Sequence, residues 1–179
     1  MRRVLSVLVN NQPRVLARVA SMIGQRNFNI ESISVGETEN PSYSRMVIVT
    51  RGDPSTIAQI SKQLNKLIDV IQVEQLEKDQ SVERELLLIK VAAPPSVRTE
   101  ITGMIEPFRA NVVDVGMKSL VIQVTGEPAK LEAMIELLRP YGIQEVARTG
   151  VTAISRGSVS QNTMVSMKKE EWNNGKHVL

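Results

Sequence analysis

An internal repeat constrains this chain more than any other feature. Val49-Thr50-Arg51-Gly52-Asp53-Pro54 and Val124-Thr125-Gly126-Glu127-Pro128 are near-copies. Each leaves an apolar, alternating run and enters a segment of helical periodicity. In the first half, strands are expected at residues 3–10, 28–35, 44–50 and 70–76. Pro13 is expected at the first helical position, with Val15, Leu16, Val19, Met22 and Ile23 on one face and Asn27 closing the helix. Gly52-Asp53-Pro54 opens a second helix that buries Ile57, Ile60, Leu64 and Leu67.

The second half runs in the same order. Strands are expected at 85–91, 111–115, 120–125 and 143–147, the last of the chain. One helix face carries Val97, Ile101, Met104, Ile105 and Phe108, and the other carries Leu131, Met134, Ile135 and Leu138. The fold class is therefore α+β, two tandem ferredoxin-like βαββαβ units at 1–78 and 83–157. The charged stretch 77–83 is read as their linker, and the polar residues 158–179 as a disordered tail.

Composition removes whole classes of chemistry. The 179 residues include no cysteine, so zinc ribbons, iron–sulfur centres and cysteine nucleophiles are out. The single histidine, His177, argues against a Ser-His-Asp triad or a histidine metal site. The net charge of +3 comes from interspersed basic and acidic residues rather than a basic stripe, and aromatics make up only 3%. The two central strands of each unit carry no aromatic on which a base could stack, which disfavours RNA binding. No apolar run reaches the ~20 residues of a membrane span, and the basic start turns polar too soon for a signal peptide. A cytoplasmic protein with no nucleic-acid or membrane partner is expected.

Catalytic constellations are equally sparse. Glu37/Glu39 and Glu83/Glu85 read as solvated faces rather than acid–base pairs. An acylphosphatase-like enzyme would use Arg14 beside a helix N-terminus, but no neighbouring glycine lets the backbone wrap a phosphate. The first strand-to-helix loop, Asn10-Asn11-Gln12-Pro13, is different in kind. It sets side-chain amides beside a helix N-terminus whose open N–H groups favour an anion. Phe28-Asn29-Ile30-Glu31 begins the second strand, read as lying next door. Asn11, Asn29 and Ile30 could together receive an amino acid's ammonium, carboxylate and side chain. On the residues alone, Asn11 as a helix cap and Asn29 as a turn residue is the simpler reading.

The runs Met1-Arg2-Arg3-Val4-Leu5-Ser6-Val7-Leu8-Val9-Asn10-Asn11, Gln25-Arg26-Asn27-Phe28-Asn29-Ile30-Glu31-Ser32 and Ser44-Arg45-Met46 resemble the small regulatory subunits of acetolactate synthase, also called acetohydroxyacid synthase. Lys62-Gln63-Leu64-Asn65-Lys66-Leu67, Val82-Glu83-Arg84-Glu85-Leu86 and Ala147-Arg148-Thr149-Gly150 continue the match, which spans roughly residues 1–157. The resemblance implies that the first unit is an amino-acid-binding ACT domain. It implies a noncatalytic chain that activates a large catalytic subunit in branched-chain amino-acid (valine, leucine, isoleucine) biosynthesis and confers feedback inhibition by valine. Thiamine diphosphate, Mg2+ and FAD are expected in that partner and no cofactor in this chain. A homodimer is implied, with valine held between the first loop of one protomer and the second-strand start of the other. Residue by residue, Asn11, Val15 and Leu16 match the loop side and Asn29 and Ile30 the facing side, and Pro13 and Arg14 complete the effector-binding set that the resemblance implies. The alternative at this stage is a stand-alone amino-acid sensor built on the same domain.

Arg14 departs from the family pattern, which has glycine between Pro13 and Val15. An Arg there could fill the effector pocket, or pair with the effector's carboxylate. The steric reading predicts weakened valine inhibition with activation intact. The second unit's first loop, Ala92-Ala93-Pro94-Pro95-Ser96, lacks the Asn pair and is assigned no effector.

Overall fold

The computed structural model describes residues 1–26 and 28–157. Two units emerge, Met1–Val82 together with residues 153–157, and Glu83–Thr152. The expected end of the first helix at Asn27 and the expected tail at 158–179 lie outside the described residues.

In the first unit, β1 (Arg2–Asn10), α1 (Val15–Gly24), β2 (Ile30–Glu37), β3 (Tyr43–Arg51), α2 (Pro54–Leu64) and β4 (Val70–Leu76) follow one another. The strands form an antiparallel-paired sheet in the order β2-β3-β1-β4. β1 is central, as its apolar residues on both faces require. Leu5 pairs with Ile48 and Val7 with Met46 on the helix-facing side. These residues join Val19 and Ile23 of α1 and Ile57, Ile60 and Leu64 of α2 in one buried cluster. Val4, Ser6, Val47, Val49 and Leu76 point the other way and are buried too. Ser6 is satisfied there by Arg45, whose Nη1 donates to its Oγ at 2.8 Å. Leu67 packs on the core, as its pattern suggested, but stands just beyond the end of α2.

β5 (Ser81–Ala92) begins at the last residues of the first unit and continues as the first strand of the second; it starts inside the charged run read as a linker, of which Lys78–Gln80 forms a single 3-10 turn. Then come α3 (Arg98–Ile105), β6 (Asn111–Val115), β7 (Ser119–Gly126), α4 (Pro128–Leu138) and β8 (Ile143–Arg148), and β9 (Thr152–Ser155) follows with all but its first residue in the first unit. The sheet order is β6-β7-β5-β8, with β9 also paired to β5. β9 was not expected, because the strand at 143–147 was read as the last. Leu87, Ile89 and Val91 of β5 pack with Ile101, Ile105, Leu131, Met134 and Leu138 in a separate core.

The repeated strand-to-helix step has a physical basis in both units. A Cβ at Gly52 would come within 2.9 Å of Thr56 Cγ2, and one at Gly126 within 2.5 Å of Lys130 Cδ. The helix that follows packs its first turn over each glycine. Asp53 then caps α2 by accepting from the Thr56 N–H at 2.7 Å and from Ser55 Oγ at 3.0 Å. The Thr56 and Ser55 hydrogen bonds lower the Asp53 pKa from its ordinary value. No helix among the described residues is long and apolar enough to cross a membrane.

Candidate functional site

Where β1 leaves its sheet, the chain turns tightly. The Gln12 N–H donates to the Asn10 carbonyl at 2.9 Å, and the Asn11 N–H to the Ser42 carbonyl at 2.8 Å. The Asn11 side chain does not cap α1. Its Nδ2 donates to Glu37 Oε1 at 3.1 Å and to the Pro41 carbonyl at 3.0 Å. Its Oδ1 accepts from Ser44 Oγ at 3.1 Å and keeps one lone pair for a further donor. Asn11 therefore fastens the loop to the β2–β3 hairpin. That hairpin is shaped by its own polar residues, with Thr38 Oγ1 donating to the Asn40 carbonyl and the Ser42 N–H to Asn40 Oδ1. The hairpin's share in the site was missed in the sequence, although Thr38, Asn40 and Ser42 are typical of such turns.

Pro13 is not the first helical residue. With Asn11 drawn to the hairpin, α1 starts two residues later, at Val15, and Arg14 occupies the cap position in the left-handed region at φ 70°. Few side chains adopt that conformation without strain, and glycine does so freely. No side chain caps the helix. In the first turn, the Leu16 and Ala17 N–H groups donate to no acceptor among the described residues. These open donors and the helix dipole form an electropositive end. The Arg14 guanidinium is exposed and has no hydrogen bond or ion pair within the described residues.

The other assigned residues divide by burial. Val15 is 3% exposed and belongs to the core, whereas Leu16 is 46% exposed on the face of α1. The Asn29 carbonyl accepts from Thr50 Oγ1 at 2.5 Å, leaving its side chain exposed. Ile30, the first residue of β2, packs on the edge of the core.

The two groups do not meet within one chain. Asn10 pairs with Tyr43, and Glu37 with Ser44, at the loop end of the sheet. Ile30 and Arg3 both pair with Thr50, at the opposite end. The Arg3-to-Asn10 length of strand separates them by about 23 Å. The second-strand start is therefore not next door to the first loop. The βαβ crossover returns the chain to the end of the sheet where β1 began.

Comparison with known proteins agrees with this architecture. Residues 5–72 match the family model of the AHAS small subunit-like ACT domain, and residues 84–157 match that of the small subunit of acetolactate synthase. An acetolactate synthase small subunit from Bacillus subtilis (strain 168) is 50% identical over 171 residues, covering 93% of this chain and 99% of the relative. One from Mycolicibacterium smegmatis is 53% identical, covering 86% of this chain and 90% of the relative. The crystal structure of the acetolactate synthase small subunit from Thermotoga maritima superposes with a TM-score of 0.83 at 42% identity, covering 89% of this chain and 99% of that one. With an ACT domain in the first unit and the small-subunit domain in the second, the chain belongs to the acetolactate synthase small-subunit family.

Proposed function

We propose that this chain is the noncatalytic regulatory subunit of an acetolactate synthase, raising the activity of a large catalytic subunit and conferring feedback inhibition by valine. The relatives' designation as small subunits supports such a partner. Thiamine diphosphate, Mg2+ and FAD then belong to that partner, and this chain needs no cofactor.

The observation that carries the reading is the separation of the two half-sites by the length of the sheet. β2 is an edge strand, and its Val35 is 45% exposed. Pairing β2 antiparallel with the β2 of a second copy closes both edges and makes an isologous dimer. It also carries the second copy's Asn29 and Ile30 to the loop end of the first. Each dimer then has two composite pockets. The open N–H groups of Leu16 and Ala17 receive valine's carboxylate, the Asn11 Oδ1 lone pair its ammonium, and Leu16 with the partner's Ile30 its side chain.

Valine acts by population shift, favouring one arrangement of the paired ACT domains that the catalytic subunit distinguishes from the other. Arg14 extends a free guanidinium from the loop, crowding a pocket of this size and weakening inhibition without affecting activation. Leucine and isoleucine offer the same backbone groups and compete at the same place.

The test is acetolactate formation by the cognate catalytic subunit, titrated with this chain, with and without valine. Activation that valine reverses supports the full reading. Activation that valine leaves untouched keeps the subunit role and places the lesion at Arg14. Valine binding with no effect on acetolactate formation would instead make the chain a stand-alone sensor.

A further inference from the structure

The second unit carries a pocket of its own where α3 gives way to β6, about 370 Å³ in volume. Ile105 and Val112 provide an apolar floor, and Thr102, Glu106, Arg109 and Asn111 stand around it. Ile105 is 2% exposed, so the floor is part of the core rather than a loose surface contact. The walls are set by a 3-10 turn, Glu106–Phe108, that ends with Arg109 in the left-handed region at φ 51°. The Arg109 N–H closes that turn on the Glu106 carbonyl at 2.8 Å.

The charges on these walls differ from those held in ion pairs elsewhere in this unit. Arg139 is paired with Glu136, and Arg148 with both Glu85 and Glu132. Glu106 and Arg109 stand three residues apart, yet neither side chain makes a hydrogen bond or ion pair within the described residues. A free anion and a free cation thus share one concave surface with an apolar floor. The end of α3 adds the negative end of its helix dipole on the Glu106 side, which favours a positive ligand group there. Asn111 offers both donor and acceptor between the two.

We propose that this pocket binds a free α-amino acid with an aliphatic side chain. Glu106 takes the ammonium, Arg109 the carboxylate, and Ile105 with Val112 the side chain. The site lies at the opposite end of α3 from the loop 92–96 and shares no residue with the first unit's effector loop.

Residue-resolved amide NMR on the full chain tests it, with L-leucine, leucinamide and N-acetyl-leucine as probes. Leucine is expected to shift the amides of residues 102–112 saturably. Leucinamide, lacking the carboxylate, and N-acetyl-leucine, lacking the ammonium, should each bind about tenfold more weakly or worse. Arg109→Gly, which suits the left-handed backbone and should fold at least as well, and Glu106→Gln should each reproduce that loss. Absence of shifts at 102–112 with millimolar leucine would overturn the proposal. So would shifts that survive both substitutions or both blocked probes unchanged. Changes at residues 11–16 report separately on the first loop and do not bear on this pocket.

Discussion

Asn10 and Ile30 stand at opposite ends of one sheet, Asn10 paired with Tyr43 and Ile30 with Thr50. The residues that resemblance assigns to a single effector site are thereby split into two half-sites. In the proposed dimer, a second copy paired antiparallel along β2 would bring the halves together.

Arg14→Gly tests the loop in two ways. Glycine relieves the left-handed strain at φ 70° and should stabilise the chain by about 1 kcal/mol, read from the urea midpoint. It should also lower the inhibitory valine concentration in the holoenzyme. A gain in stability with unchanged inhibition would mean that the guanidinium lies clear of the pocket.

Asn11→Ala removes the three side-chain hydrogen bonds that hold the loop to Glu37, Pro41 and Ser44. The side chain is exposed, so the expected loss of stability is only about 1 kcal/mol. The loss of valine response should be disproportionately large, because the loop no longer holds its N–H groups in place. Calorimetric titration with valine beside thermal unfolding distinguishes these effects.

Arg148→Met probes the second unit. Glu85 is 4% exposed, and Arg148 meets it with two parallel bonds, Nε to Oε1 at 2.9 Å and Nη2 to Oε2 at 2.8 Å. The Glu85 hydrogen bonds, then the Glu132 contact, push the Arg148 pKa upward. Removing the guanidinium strands a buried carboxylate, and unfolding should become easier by about 3 kcal/mol. Arg148→Met together with Glu85→Leu should recover most of that loss in the same urea titration.

Asp53 makes stability depend on acid pH. Its native pKa is lowered by the Thr56 and Ser55 hydrogen bonds. Its contribution is therefore complete above the ordinary Asp value and disappears as pH falls through the lowered native one. Asp53→Asn keeps a capping oxygen that does not titrate. Its urea midpoint should fall less than that of the unmodified chain between neutral and acid pH.

Much of this was legible in the residues. β4 and β6 fall at their expected bounds, and Ile57, Ile60, Leu131, Met134 and Leu138 are buried as their spacing required. The late start of α1 was not legible, because nothing in the side chain of Arg14 announces a positive φ. Pro13 is as much at home in the turn before a helix as at its first position. β9 was missed because Thr152-Ala153-Ile154-Ser155 is too short and too mixed to show a period. The splitting of the half-sites, by contrast, was implicit in the βαβ order, which always returns to the end of the sheet where it started.

The most direct test of the shared pocket is complementation between two defective chains, both carrying Arg14→Gly. One adds Asn11→Ala in the loop, and the other adds Ile30→Lys at the second-strand start. Each homodimer should fail to bind valine, since every pocket has one damaged half. A mixed dimer should have one pocket with both halves intact and one with both damaged, restoring binding at half the parental stoichiometry. Calorimetry on the purified mixed dimer that shows no restored binding would contradict a pocket shared between protomers.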